Sequence, residues 1–461
     1  MGALTPASEL AFCHGSHSPM KPFTTYALAA TAWALSLGSL TAQDWPQWRG
    51  PQFDGSSPTA KGLSAKFSKT EGLSWSVVLP GEGASTPVVF GDRVFVTSAD
   101  LSTKELLALA LDRKTGKELW RHKVADGDRR DNRSNFASPS PVTDGTHVWF
   151  FFGQGDLLAY TVDGKEVWRR NIQKDHGEFA FGWTFSSTPL LYDGRLYLQV
   201  LQRNVPANGR GRADGPNESY LLAMDPKSGK DLWRHVRPAE AREESLEAFT
   251  SPVPYIHAGR PELLVTGGDC ITGHDPATGR ELWRWATWNP TKIPHWRLVP
   301  SPAVGEGIVL ACAPKGSPIY AFKLGQNGVL SETGYAWKSA ERELSSDVST
   351  PLFYQGKFFV LNSDRRMLLC VEPSTGKVLW QGELPGRVKY ETSPTAGDGK
   401  IYMMNMAGDV AVVGAGDKFE VLNTAAMGDE GDRDVRSTLS IAHGQVFIRT
   451  FKRLHAVAPR Q

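Results

Sequence analysis

Apolar positions along this chain fall in short dense runs, not in the stripes of an amphipathic helix. The runs are rich in Val, Leu, Phe and Tyr, and each is cut by a proline or by a polar pair that contains glycine. One such stretch reads Ser85-Thr-Pro-Val-Val-Phe-Gly-Asp-Arg-Val-Phe-Val96, and versions of it return at Ser187–Leu198, Ser349–Val360 and Thr392–Met403. Two β-branched or aromatic runs around an Asp-Gly-type pair predict a hairpin, and a proline suits the first residue of a strand, where no ladder donor is needed. Each Ser/Thr-Pro therefore announces the first two strands of a unit.

A third strand follows and ends in an acid, as in Leu107-Ala-Leu-Ala-Leu-Asp112 and Tyr220-Leu-Leu-Ala-Met-Asp225. The acid opens a phrase that recurs in register: Asp112-Arg-Lys-Thr-Gly-Lys-Glu-Leu-Trp120, Asp225-Pro-Lys-Ser-Gly-Lys-Asp-Leu-Trp233, Asp275-Pro-Ala-Thr-Gly-Arg-Glu-Leu-Trp283 and Glu372-Pro-Ser-Thr-Gly-Lys-Val-Leu-Trp380. The carboxylate can accept backbone N–H groups across a tight turn, and the glycine supplies the positive φ that the turn needs. The fourth strand carries the Trp.

Four antiparallel strands per unit, repeated with glycine-rich turns, predict an all-β fold of propeller type. The Trp position counts the units: Trp120, Trp168, Trp233, Trp283, Trp337, Trp380 and then Phe419. An eighth unit begins at Ser437 and reaches Leu454-His-Ala-Val457 without a fourth strand, whereas Leu73-Ser-Trp-Ser-Val-Val78 matches a fourth strand with nothing before it. The expectation is an eight-bladed β-propeller of four-stranded antiparallel blades, closed by an N-terminal strand that completes the C-terminal blade. Closure of this kind removes open sheet edges.

The Ala/Leu-x-Asp-x-x-Thr-Gly-Lys-x-x-Trp phrase resembles the repeat of pyrroloquinoline quinone (PQQ) type propellers, over essentially everything from Leu73 to Val457. The resemblance implies tryptophans that dock neighbouring blades together. It also implies one of two functions, because the same repeat builds quinoprotein alcohol dehydrogenases and the non-catalytic scaffold lipoprotein of the outer-membrane β-barrel assembly machinery. Many of those dehydrogenases carry adjacent cysteines beside the quinone, whereas Cys270, Cys312 and Cys370 here fall in three different units. No Cys-x-x-Cys-His offers a site for c-type haem. On the other side, Ser39-Leu-Thr-Ala-Gln43 has no cysteine to lipidate.

Residues Tyr26 to Leu40 form a short apolar core after Met20-Lys21 and before the small residues Ser39-Leu-Thr-Ala42. That layout is expected of a secretory signal peptide cleaved after Ala42, with Met20 as the true start. The chain divides into an upstream extension and signal peptide (1–42), a leader (43–72) and the propeller (73–461). The leader Asp44-Trp-Pro-Gln-Trp-Arg-Gly-Pro51 is expected to lie against the propeller, anchored by its tryptophans. A periplasmic or secreted monomer follows, with no membrane anchor after cleavage. A formal net charge of +2 and the lack of long basic runs argue against a nucleic-acid partner.

Chemistry is expected where the link from one blade's outer strand to the next blade's inner strand crosses the face near the axis. Those links hold Asn135, Trp183, Glu247, His295, Trp296, Arg297, Asp347, Tyr390, Glu391 and Arg436, which together would surround one funnel with aromatic surfaces, carboxylates and guanidinium groups. The same residues could instead pair across the channel as structural ion bridges. No metal set or catalytic group is assigned among them; were PQQ and calcium bound, Trp183 or Trp296 could stack on the quinone, and Glu247, Asp347 or Glu391 could hold the ion or act as base. Arg203–Pro216 is a Gly/Arg-rich excursion from the third unit that reads equally as a candidate binding loop and as a flexible surface insertion. The sequence favours a non-catalytic binding or assembly scaffold that holds an unknown protein partner or a small polar ligand, the alternative being a PQQ- and calcium-dependent oxidoreductase acting on an alcohol or sugar.

Overall fold

In the computed structural model, which describes residues 44–340 and 342–459, eight antiparallel sheets of four strands follow one another along the chain. The signal-peptide reading and residues 1–42 lie outside the described residues. Blade 1 is made by Val88–Phe90, Arg93–Asp100, Glu105–Asp112 and Glu118–Asp126. Its innermost strand touches that of blade 2 (Val142–Thr143) on one side and that of blade 8 (Ser440–Ala442) on the other, so the ring closes. Leu73–Val78 supplies the fourth strand of blade 8, with Trp75 opposite Ala456 and Val78 opposite Arg453. The eight-bladed, N-terminally closed propeller read from the sequence is the fold.

Burial explains the apolar runs. The middle strands of a blade are covered by a neighbour on each face, and Arg93–Asp100 and Glu105–Asp112 are buried at every position but their ends. Outer strands such as Val378–Glu383 alternate exposed and half-buried positions, because one face and one edge meet water. The inner hairpins turn through pairs with two positive φ values, such as Asp193-Gly194 (47° and 68°) and Asp398-Gly399 (51° and 70°). These are the type I′ turns that suit the twist of a two-residue hairpin.

The recurring phrase works as a joint between blades. Asp112 Oδ1 accepts from the backbone N–H of Lys114 (3.1 Å) and Thr115 (2.8 Å), and Asp225 does the same for Lys227 and Ser228. The turn then receives the Trp of the preceding blade. Trp75, Trp120, Trp168, Trp233, Trp337 and Trp380 donate Nε1–H to carbonyls of Arg113, Val162, Pro226, Pro276, Pro373 and Gly416 at 2.7–3.2 Å. The indole lies so close to the turn glycine that a Cβ on Gly229 would sit 2.7 Å from Trp168. Trp283 departs from the pattern: it donates to Glu262 within its own blade at 2.9 Å. Blade 5 has no Asp-x-x-Thr-Gly turn to receive it, and Trp285 reaches forward instead, to the carbonyls of Ser331 and Glu332.

Nearer the axis, the Ser/Thr-Pro positions join the blades a second time. Thr86, Ser140, Thr188, Ser251, Ser301 and Thr350 each donate their backbone N–H to the hydroxyl of the next residue in the series, ending at Ser393, at 2.8–3.1 Å. The proline fixes the strand start and the hydroxyl beside it stitches one blade to the next.

The leader runs under the hairpin side of this ring. Trp45 is fully buried and pairs with Val89, Pro46 accepts from Thr143 N–H, and Ser56–Ser57 adds a parallel strand inside blade 7. Arg49, also buried, donates to the carbonyls of Pro394 (2.8 Å), Asp54 (2.6 Å) and Pro351 (3.0 Å). One guanidinium thus ties the leader to blades 6 and 7.

Candidate functional site

The links between blades and the hydroxyl belt enclose an axial cavity of about 430 Å³. Trp48 of the leader lies at its base, and Thr86, Ser140, Thr188, Ser251, Thr350, Ser393 and Thr438 line its waist. Trp183, Arg297, Asp347, Glu391 and Arg436, all named from the sequence, line the mouth. Arg133, Lys315, Asp364 and Lys389 join them there.

Each carboxylate at the mouth is held by a cation. Glu391 accepts from Arg436 Nε at 2.7 Å and faces Arg133 at 3.9 Å. Asp347 pins the turn after Cys312 by accepting from Lys315 N–H at 2.7 Å, with the Lys315 ammonium 3.8 Å away. Asp364 pairs with Lys389 at 2.5 Å. Arg297 lies over the Trp183 ring, 5.2 Å from its centroid, and both donate to Glu244 Oε1, at 2.7 Å and 3.0 Å. Burial works against the Glu244 charge, but these hydrogen bonds and the Arg297 charge outweigh it and hold the group below the ordinary carboxylate range.

The other five residues named from the sequence lie off the cavity wall. Asn135 is buried and accepts from Ala137 N–H in a tight turn, so its side chain is spent on its own backbone. Tyr390 is buried and donates to the Pro385 carbonyl at 2.9 Å. His295 is exposed beyond the wall, and Trp296 is half-buried, with its N–H held by Ser245 Oγ at 2.8 Å. Glu247 is fully buried, where it accepts from Gly182 N–H at 2.9 Å and pairs with Arg203. Burial raises its pKa and the Arg203 hydrogen bond opposes the rise. Lys315 and Asp364 were not in the sequence reading because they belong to turns between middle strands, not to the links.

A family model described as outer membrane protein assembly factor BamB matches residues 57–204, 110–336 and 329–424. The chain belongs to that family. Among curated proteins it is similar to a polyvinylalcohol dehydrogenase of Sphingopyxis sp., 24% identical over 78% of this chain and 54% of that protein. It is also similar to one from Pseudomonas sp., 26% identical over 42% of this chain and 29% of that protein. The chain thus spans about half or less of the length of these relatives. Among solved structures, BamB from Moraxella catarrhalis superposes with a TM-score of 0.55 at 14% identity, covering 83% of this chain and 98% of that one. A europium-containing methanol dehydrogenase gives 0.63 at 13% identity, covering 89% and 90%. These likenesses establish the fold.

The dehydrogenase side of the resemblance calls for PQQ and calcium, and the described side chains do not assemble a carboxylate cluster for the metal. Among the described residues no three His, Cys, Asp or Glu side chains converge to hold a metal ion. Among the described residues, Cys270, Cys312 and Cys370 are buried as free thiols on blades 4, 5 and 6. Burial pushes the thiols of Cys312 and Cys370 up, the latter to about 11, so neither is a ready thiolate.

Proposed function

We propose that this chain is a non-catalytic propeller scaffold, periplasmic or secreted, that holds a protein partner or a small polar ligand at its axial mouth. The observation that carries the reading is the pairing of every mouth carboxylate with a cation. A base or calcium ligand is helped by open oxygens, whereas Glu391 and Asp364 are ion-paired and Asp347 holds Lys315 N–H with the Lys315 ammonium 3.8 Å away. A rigid ring with a polar, partly aromatic cup suits recognition. Among the described residues no helix is long and apolar enough to cross a membrane.

A quinone-dependent oxidoreductase is the second reading. It is favoured by the dehydrogenase names of the curated relatives and by Trp183, an aromatic wall beside several cations. The two separate on one titration of the chain from Gln43 to Gln461 with PQQ, with and without calcium, followed by dye-linked oxidation of alcohols and sugars. The scaffold reading expects neither calcium-dependent binding nor turnover. Tight binding with turnover overturns it.

A further inference from the structure

The Gly/Arg-rich excursion of blade 3 folds back onto the link between blades 2 and 3 and gathers arginines there, one of which, Arg203, is paired with Glu247. Its tip is a tight turn in which Ala207 and Arg210 exchange backbone hydrogen bonds of 2.8 Å and 3.0 Å around Asn208 and Gly209, both at positive φ. From this fixed tip, Arg210 Nη2 donates to the Gly182 carbonyl at 2.7 Å and Asn208 Nδ2 approaches it at 3.3 Å. Arg129, from the link between blades 1 and 2, reaches the same oxygen at 3.4 Å. The two guanidinium nitrogens are therefore within about 6 Å of each other.

Arg203 completes the group: its Nη2 would lie 2.9 Å from a Cβ on Gly182. Two guanidinium groups thus converge on one backbone oxygen, and the third lies beside it, paired with Glu247. The one carboxylate in the group, Glu247, accepts from Arg203 and from Gly182 N–H, both on Oε1. The next acid, Asp131, is spent on Arg133 N–H, Ser134 N–H and both donors of Thr184, all at 2.7–2.9 Å. Among the described residues Arg129 and Arg210 make no ion pair, and burial works against the Arg129 charge by more than the attraction of nearby Asp131 and Glu247 offsets. Like charges gathered in this way repel unless an anion lies between them.

We infer that Arg129, Arg203 and Arg210 form a binding site for a tetrahedral oxyanion, a phosphate or sulfate group, beside the mouth of the propeller. A guanidinium fork matches oxyanion geometry, and three forks from different directions suit a group with three terminal oxygens better than a flat carboxylate, which one fork satisfies. None of the three arginines lines the axial cavity. The site therefore stands or falls apart from the scaffold reading.

The test is calorimetric titration of the chain from Gln43 to Gln461 with sodium phosphate and sodium sulfate at constant ionic strength set by chloride. Arg129→Gln, Arg210→Gln and the double variant are titrated alongside, with circular dichroism to check that each is folded. Saturable binding by the unaltered protein is expected, weakened about tenfold or more in each single variant and lost in the double. Phosphate should raise the melting temperature of the unaltered protein and leave that of the double variant where it was. Glucose 6-phosphate and glucose 6-sulfate then distinguish the two ester sources, and preferential binding of either supports the site. No saturable binding of any of these anions, or equal binding by the folded double variant, overturns it.

Discussion

Adding one methyl group at Gly229 tests the joint between blades. Gly229 sits at φ 70° with Trp168 against it, so an alanine Cβ would meet the indole at 2.7 Å, closer than atoms can approach. Gly194 has nearly the same φ, 68°, but nothing within 4 Å of its Cβ position. Both alanines carry the left-handed backbone cost of about 1–2 kcal/mol. Only Gly229→Ala must also displace a tryptophan that holds the Pro226 carbonyl at 2.9 Å. Overpacking adds about 1–3 kcal/mol and the strained hydrogen bond about 1 kcal/mol. Gly229→Ala should thus destabilise by about 3–6 kcal/mol and Gly194→Ala by about 1–2 kcal/mol. Urea unfolding followed by circular dichroism reads the difference, and in a Trp168→Ala background the Gly229 penalty should fall to that of Gly194. Equal penalties at the two glycines in the unaltered background would refute the account of the joint.

Arg49→Met removes the guanidinium that satisfies three carbonyls. Orphaning the two most buried of them should cost about 2–5 kcal/mol in urea unfolding, and a loss under 1 kcal/mol would deny the leader a structural role. Arg436→Met leaves the buried Glu391 carboxylate with only the more distant Arg133 and should cost about 2–3 kcal/mol, most of it recovered in Arg436→Met with Glu391→Met, as a double-mutant cycle would read. Burial lowers the pKa of His455 to about 4, below its unfolded value. The unfolded chain binds the proton first as pH falls from about 6.5 to 4, so stability contributed by neutral His455 is lost across that window; His455→Leu should flatten the fall, and an unchanged slope in melting temperature against pH would contradict it.

Blade number was legible because each blade repeats the same joint: an acid-capped turn, a glycine and a tryptophan. The exception was not read from the sequence, which counted Trp283 with the other docking tryptophans: Lys323-Leu-Gly-Gln-Asn-Gly328 lacks the acid and the Thr-Gly, and Trp283 turns inward to Glu262. The cup was legible only at the level of links. Every link approaches the axis, but the side chain that faces it depends on local turns: Asn135 spends its carboxamide on Ala137, while Arg133, two residues earlier, reaches the mouth. Lys315 and Asp364 come from turns that reach the same face, and Trp48 enters from the leader, a segment without any repeat to place it.

The strand that closes the ring also sets how the molecule bears load. Leu73 lies opposite Val457, so the outward-running ends of the closing pair leave blade 8 side by side. A pull on both ends would open that pair like a zipper, one hydrogen bond at a time. The leader changes the path of the force. Tension applied at residue 44 meets Trp45 and the Arg49 clamp across blades 1, 6 and 7 before it reaches Leu73. Force spectroscopy on the unaltered protein and on Arg49→Met should read this as a first rupture that moves to lower force when the clamp is gone. The leader is in that sense a strain relief, protecting the one seam in the ring that the chain does not cross covalently.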